Sequence, residues 1–145
     1  MDFTCSRSEF AKGLHLAELV AGRGSAVPAL KGIYLNAATD TLTIRSTDLN
    51  TGFEMTMKAD VKKTGSAVIP VHPSIQLVGA VGEETVRVEV VDSSIHFTTH
   101  KTASAVKGYP DGDFPTLPVI KTGERISFSV SEFLNAARSV LFAVS

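Results

Sequence analysis

Apolar and polar positions alternate in short runs along this chain, and the runs recur in a fixed order. At the start Phe3, Cys5 and Arg7 alternate with Thr4 and Ser6, the two-residue period of a strand with one buried face. Ser8 then stands as a helix cap. Phe10, Leu14, Ala17 and Ala21 follow at three- and four-residue steps, an apolar stripe along a helix that Gly22 and Gly24 end. Between Lys31 and Val61 lie three β-rich runs, broken at 38–41 and 47–51 by turn-forming Asp, Asn and Thr, which predicts a meander. The stretch GSAVIPV is another strand. Pro73 sits where a helix accepts proline in its first turn, ahead of SIQLVGAVG. TVRVEVVD, SSIHFTTH and KTASAVKG supply three more alternating runs, with breaks at 92–94 and near His100.

The order is strand, helix, three strands, twice over. It predicts an α+β domain in which two strand-helix-three-strand repeats, eight strands in all, place both helices on one face of antiparallel sheets. Residues 1–115 hold this domain. The stretch YPDGDFPTLPVIKTGE, with its prolines and glycines and no sustained period, is the exit, and residues 116–125 form a connector. In residues 126–145 the pattern restarts: Ser131-Glu132-Phe133 repeats Ser8-Glu9-Phe10, and Ile126 and Phe128 repeat Phe3 and Cys5. The restarted strand and helix have no meander to pack on. That helix, Ser131 to about Ser145, is expected to dock on the first domain or fray.

Composition narrows the class. With 145 residues, 43% hydrophobic and 20% charged, the chain can bury one proper core, and no apolar run reaches the length of a membrane span. No basic leader precedes an apolar block, so the expected address is cytoplasmic. A single cysteine, Cys5, makes no internal disulfide and is expected to behave as a small buried apolar residue. The net charge of −1 means that any contact with nucleic acid needs a local basic face.

Catalytic chemistry finds no footing. On a strand, His96 and His100 would share a face but stand about 13 Å apart at about 3.3 Å per residue, too far for one zinc. Asp111-Gly112-Asp113 has the composition of a turn. Glu83-Glu84 is a solvated pair at a helix-to-strand connection. AGRGSA follows a helix instead of leading into one, so its amides do not converge on a phosphate. There is no G-x-S-x-G elbow. The expectation is a non-enzyme with no metal and no cofactor.

MDFTCSRSEF, VPALKGIYL, STDLN, VIPV and DGDFPTLP occur in that order along the chain. In order and spacing they resemble the bacterial replicative sliding clamp, the beta subunit of the DNA polymerase III holoenzyme, over essentially the whole length. The resemblance implies a DNA-clamp domain, 1–115, followed by the opening strand and helix of a second. It implies a processivity factor: three similar domains per subunit and two subunits per ring, with helices lining a hole that encircles duplex DNA. The implied partners are duplex DNA, and in a full-length parent DNA polymerase III, the clamp loader and a homodimer mate, with no membrane. On the first helix the arc opposite the apolar stripe carries Ala11, Lys12, His15, Glu18 and Leu19, so Lys12 and His15 are expected to face the hole. Arg23, in the loop beyond, matches the basic position that the family places near DNA. The second helix departs from the pattern, with no lysine or arginine and with Gly79 where relatives can be basic. The late strand KTASAVKGY matches the family's dimer edge, giving Lys101, Ser104 and Val106 as edge residues, although Lys101 and Lys107 also fit the ordinary protection of an open edge. The family's partner-peptide pocket lies in later domains, so none is carried over here. The competing reading is a generic protein-binding module that uses an exposed sheet edge.

Overall fold

The computed structural model describes residues 1–22, 24–117, 123 and 126–143. Strand β1 (Asp2–Ser6) leads into helix α1 (Arg7–Glu18), then a 3-10 turn at Pro28–Lys31 and strands β2 (Gly32–Ala38), β3 (Thr41–Thr47), β4 (Gly52–Lys58) and β5 (Asp60–Lys63). Strand β6 (Gly65–Pro70) leads into α2 (Val71–Ala80), then β7 (Thr85–Val91), β8 (Ser94–Thr98) and β9 (Ala103–Lys107), with α3 (Val130–Leu141) last. Sheet one has the order β5-β1-β7-β8-β9 and sheet two the order β4-β3-β2-β6, every pairing antiparallel.

Each half gives its first strand to one sheet and its meander to the other. Thus β1 pairs with β7 of the second half, from Asp2↔Glu89 to Ser6↔Thr85, while β6 pairs with β2 of the first, from Gly32↔Pro70 to Ala37↔Gly65. The two halves are locked by exchanging strands. Each meander then crosses back: past Ala59 the chain becomes β5 and pairs with β1, and past Gly108 the backbone of Tyr109 bridges Val68 on β6. This crossing raises the expected eight strands to nine among the described residues. The third run of the first half is one continuous apolar-polar stretch, but it breaks at Ala59 because its second part takes the free edge of β1.

Matching turns join the first hairpin of each half. Asp40 (φ 59°) lies between β2 and β3, and Asp92 (φ 55°) between β7 and β8; aspartate tolerates this left-handed region better than most residues. Leu49, at φ 78°, has no such latitude. It is held by its neighbours: its amide donates to Thr47 Oγ1 at 3.0 Å, and Asp48 Oδ1 accepts from the amides of Asn50 at 2.9 Å and Thr51 at 2.7 Å.

One core fills the space between helices and sheets. Phe3 and Cys5 of β1, Phe10, Leu14 and Ala17 of α1, Leu35 of β2, Ile44 of β3, Ile69 of β6, Val78 of α2 and Phe97 of β8 are all buried in it. Phe3 and Phe10 meet edge to face, with centroids 6.1 Å apart. The alternation at the N-terminus and the stripe on α1 are therefore core-facing, as their periods predict. Helix α1 also lies close to β3: a Cβ on Gly13 would stand 2.5 Å from Ile44 Cδ1.

The ends of α1 differ from the sequence expectation. Ser6, not Ser8, is the cap, with Oγ accepting from the Glu9 amide at 3.5 Å. The β1–β7 ladder runs to Ser6, and the Arg7 amide donates to Glu84 O at 2.8 Å, so the chain turns into helix at once and Arg7 is helical. The helix stops at Glu18, ahead of Gly22. There the buried Ser46 hydroxyl of β3 donates to Ala17 O at 2.8 Å and pins the last turn to sheet two.

Beyond the domain, the connector positions 118–122 and 124–125 lie outside the described residues, as do 144 and 145. Residues 126–129 form no strand, contrary to the alternation of Ile126 and Phe128. A strand exists through a partner's hydrogen bonds, and none of the described strands pairs with this stretch. Helix α3 forms at Val130–Leu141 with none of its residues buried, and Phe128 stacks on Phe133 at 5.2 Å. Among the described residues, therefore, no side chain of α3 is buried against the first domain.

Candidate nucleic-acid interface

Helices α1 and α2 lie side by side, and a polar contact crosses the seam between them. Glu18 on α1 receives two imidazoles: His72 Nδ1 of α2 stands 3.2 Å from Oε1, and His15 Nδ1, one turn back on α1, stands 3.7 Å from Oε2. The rings are well exposed, at 67% and 61%, while Glu18 is 21% exposed. His15 is thus on the outward arc where the sequence puts it, but it shares a carboxylate with a histidine from the other helix.

Lys12 is exposed on the same arc. Ala11 is half buried and packs against the core, so the arc is narrower than the helical wheel implies. Leu16 and Leu19 are exposed beside it, the latter at 78%. On α2 the exposed positions are His72, Pro73, Gln76, Gly79 and Ala80, with open space around Gly79. Arg23 lies outside the described residues. With Glu9 also exposed at the start of α1, the two-helix face is weakly charged, with no concentrated basic patch among the described residues.

The second candidate surface is the outer edge of sheet one. On β9, Val106 pairs with Ile95 and Ser104 with Phe97, so both point toward the core side and are half buried, Val106 packing against the core itself. Ala103, Ala105 and Lys107 are exposed. Lys101 is not on the strand. It sits in the turn before β9, where its amide and that of Thr102 donate to Thr99 Oγ1 at 3.3 and 3.1 Å.

The groups with displaced proton affinities are spread over the domain and do not converge. Arg87 grips Asp2 with two bonds, Nε to Oδ1 at 2.9 Å and Nη2 to Oδ2 at 2.7 Å, which lowers the Asp2 carboxyl and raises the guanidinium. The amides of Thr51 and Asn50 hold Asp48 low. Burial, with the nearby Glu9 carboxylate adding to it, pushes the Cys5 thiol up to about 12, the opposite of an activated nucleophile. Among the described residues no group of three His, Cys, Asp or Glu is placed to hold a metal ion, the Glu18 trio included. His96 lies on β8 but His100 falls in the turn after it, so the two do not share a strand.

His72 carries no local signal in the sequence, because Pro73 marks the start of the helix just beyond it. The internal repeat held the signal: His72 is the second residue of α2 as Ser8 is of α1, so it belongs to the outward side of the same two-helix face.

Comparison with known proteins agrees with the geometry. The family model described as DNA polymerase III beta subunit, N-terminal domain, matches residues 1–118. A beta sliding clamp of Synechococcus elongatus is 24% identical over 148 aligned residues, covering 100% of this chain and 40% of that protein. The beta sliding clamp homolog GriR of Streptomyces muensis is 26% identical over 139, covering 91% and 37%. Among solved structures, Caulobacter crescentus pol III beta superposes with a TM-score of 0.91 at 24% identity, over 100% of this chain and 40% of that one. The Pseudomonas aeruginosa DNA polymerase III subunit beta gives 0.87 at 19% identity, over 95% and 38%. The chain spans about two fifths of the length of the curated relatives it matches.

Proposed function

Because the chain belongs to the DNA polymerase III beta subunit family, whose N-terminal domain it carries, we propose that it is the first unit of a sliding clamp. In this reading the clamp is a ring that encircles duplex DNA in the cytoplasm and tethers the replicative polymerase, with no catalytic step of its own. The observation that carries the reading is the pairing of α1 and α2 on one face, joined through Glu18 and His72, with both sheets behind them. Such a face suits the lining of a hole. Family membership also disfavours the competing reading of a generic protein-binding module.

Lys12, His15 and Arg23 are the side chains this unit offers to phosphates. Contacts of that kind position DNA without reading its sequence, which permits sliding. Retention then comes from enclosure, not from affinity. The β9 edge, with Ser104 and Val106 on the strand and Lys101 in the turn beside it, is the surface offered to the mate that closes the ring. Residues 1–115 are the first unit, 116–125 the connector and 126–145 the start of the second. The polymerase and the clamp loader are partners of the longer polypeptide. Titration of a labelled DNA duplex with this chain tests the reading: no complex is expected near physiological salt, and a tight, salt-resistant complex counts against it.

A further inference from the structure

The stretch YPDGDFPTL, residues 109–117, an exit segment by its composition, does not hang free after β9. At its start the Gly108 amide donates to Ser93 O at 2.8 Å and the Tyr109 amide to Val68 O at 2.9 Å, which ties the chain to the β6 edge of sheet two. Asp111 Oδ2 then accepts from Ser66 Oγ of the same strand at 2.6 Å. Phe114 stacks on Tyr34 of β2, centroids 5.0 Å apart and planes 22° from parallel, while its amide donates to Asp111 O at 3.1 Å. Leu117 ends over β4, its side chain 3.4 Å from where a Cβ on Gly52 would stand.

Past the bridge at the β6 edge, the Ser66, Tyr34 and Gly52 anchors lie on the outer face of sheet two. Tyr34 alternates with the core residues Ile33 and Leu35, and Val68 and Arg45 are its partners on the neighbouring strands. Gly52 shares the outward phase of Glu54, which pairs with Arg45. The chain therefore crosses the sheet from one edge strand to the other, and four strands at about 4.8 Å spacing are well within reach of nine residues. Pro110 and Pro115 restrict its backbone on the way.

We infer that residues 109–117 are a strap fastened across the outer face of sheet two, which fixes the point beside β4 from which the chain leaves the domain. Whatever follows residue 117 starts from a set position and direction, not from a free tether. In a longer polypeptide the strap sets the placement of the next unit. The inference rests on the first domain alone and stands or falls apart from the clamp reading.

The test uses the whole chain with spin labels on Thr116→Cys and Gln76→Cys, both exposed positions. Cys5 is buried with its thiol pushed up to about 12, so it stays unlabelled. The strap predicts one narrow distance distribution. Removing two anchors with Asp111→Ala and Phe114→Ala should broaden it, and the Tyr109 amide should exchange about tenfold faster, the factor that corresponds to about 1.4 kcal/mol. Core amides should keep their protection. Should Phe114→Ala disturb the core, Asp111→Ala alone, at an exposed position, gives the same readouts. A broad distribution in the parent chain, or variants that change neither width nor exchange, would overturn the inference.

Discussion

Gly108 marks the corner where the second meander leaves sheet one for sheet two, and its replacement by alanine tests whether that crossing is real. An added Cβ would stand 2.5 Å from Ile95 Cδ1 and 2.8 Å from Val68 O. Ile95 is 1% exposed, and the Val68 carbonyl is backbone already held by the Tyr109 amide. Ile95 Cδ1 could turn aside only within a packed core, and the Val68 carbonyl, being backbone, cannot yield without moving a strand. Overpacking of this kind costs about 1–3 kcal/mol. For a domain near this size that corresponds to a melting temperature lower by about 5–15 °C. Gly79→Ala on α2 is the control: nothing lies within 4 Å of the new methyl, and removing a helical glycine should stabilise by about 0.5–1 kcal/mol. Thermal unfolding followed by circular dichroism reads both. A Gly108→Ala protein that melts with the parent, or a Gly79→Ala protein destabilised to the same degree, would refute the corner geometry.

Two further outcomes concern titratable groups. Asp2→Asn should cost less than about 1 kcal/mol at neutral pH, because Arg87 is 41% exposed and solvent screens the pair. The Asp2 carboxyl is held below its ordinary 3.8, so its contribution is full above that value and lost as pH falls through the lowered one; urea midpoints of variant and parent should converge there, and a constant gap would contradict the pairing. Cys5 is raised from 9.0 to about 12, so stability should fall above pH 9 as the unfolded thiol ionises first. Iodoacetamide at mildly alkaline pH should spare the folded chain and modify it in urea; rapid alkylation of the native protein would place the thiol at the surface.

What was legible in the sequence follows short-range periods. Phe3 and Cys5, the Phe10–Leu14–Ala17 stripe and the repeat of strand, helix and three strands lie within windows where one buried face dictates the spacing. The rest depends on partners distant in the chain. The break at Ala59 is invisible locally because both sides read as strand, and only the free edge of β1 draws the second part away. Ser6 and Ser8 are equally good caps until the β1–β7 ladder decides between them. His72 gains its role from Glu18 on another helix, and Phe114 gains its role from Tyr34. The alternation of Ile126 and Phe128 is a true strand pattern that lacks a mate within the described residues. The electrostatics of the two-helix face were legible in outline, since the absence of lysine and arginine from α2 is plain in the sequence.

If the proposed clamp reading holds, the longer polypeptide retains DNA by enclosure, and this unit alone should grip it only weakly. On that reading Lys12, His15 and Arg23 would make at most a few phosphate contacts, each adding a slope of about −0.9 in the logarithm of affinity against that of salt. Fluorescence anisotropy of a labelled duplex, titrated with the 145-residue chain at about 0.15 M salt, tests this most directly. No rise in anisotropy is expected through the micromolar range. A micromolar complex that survives added salt would contradict it.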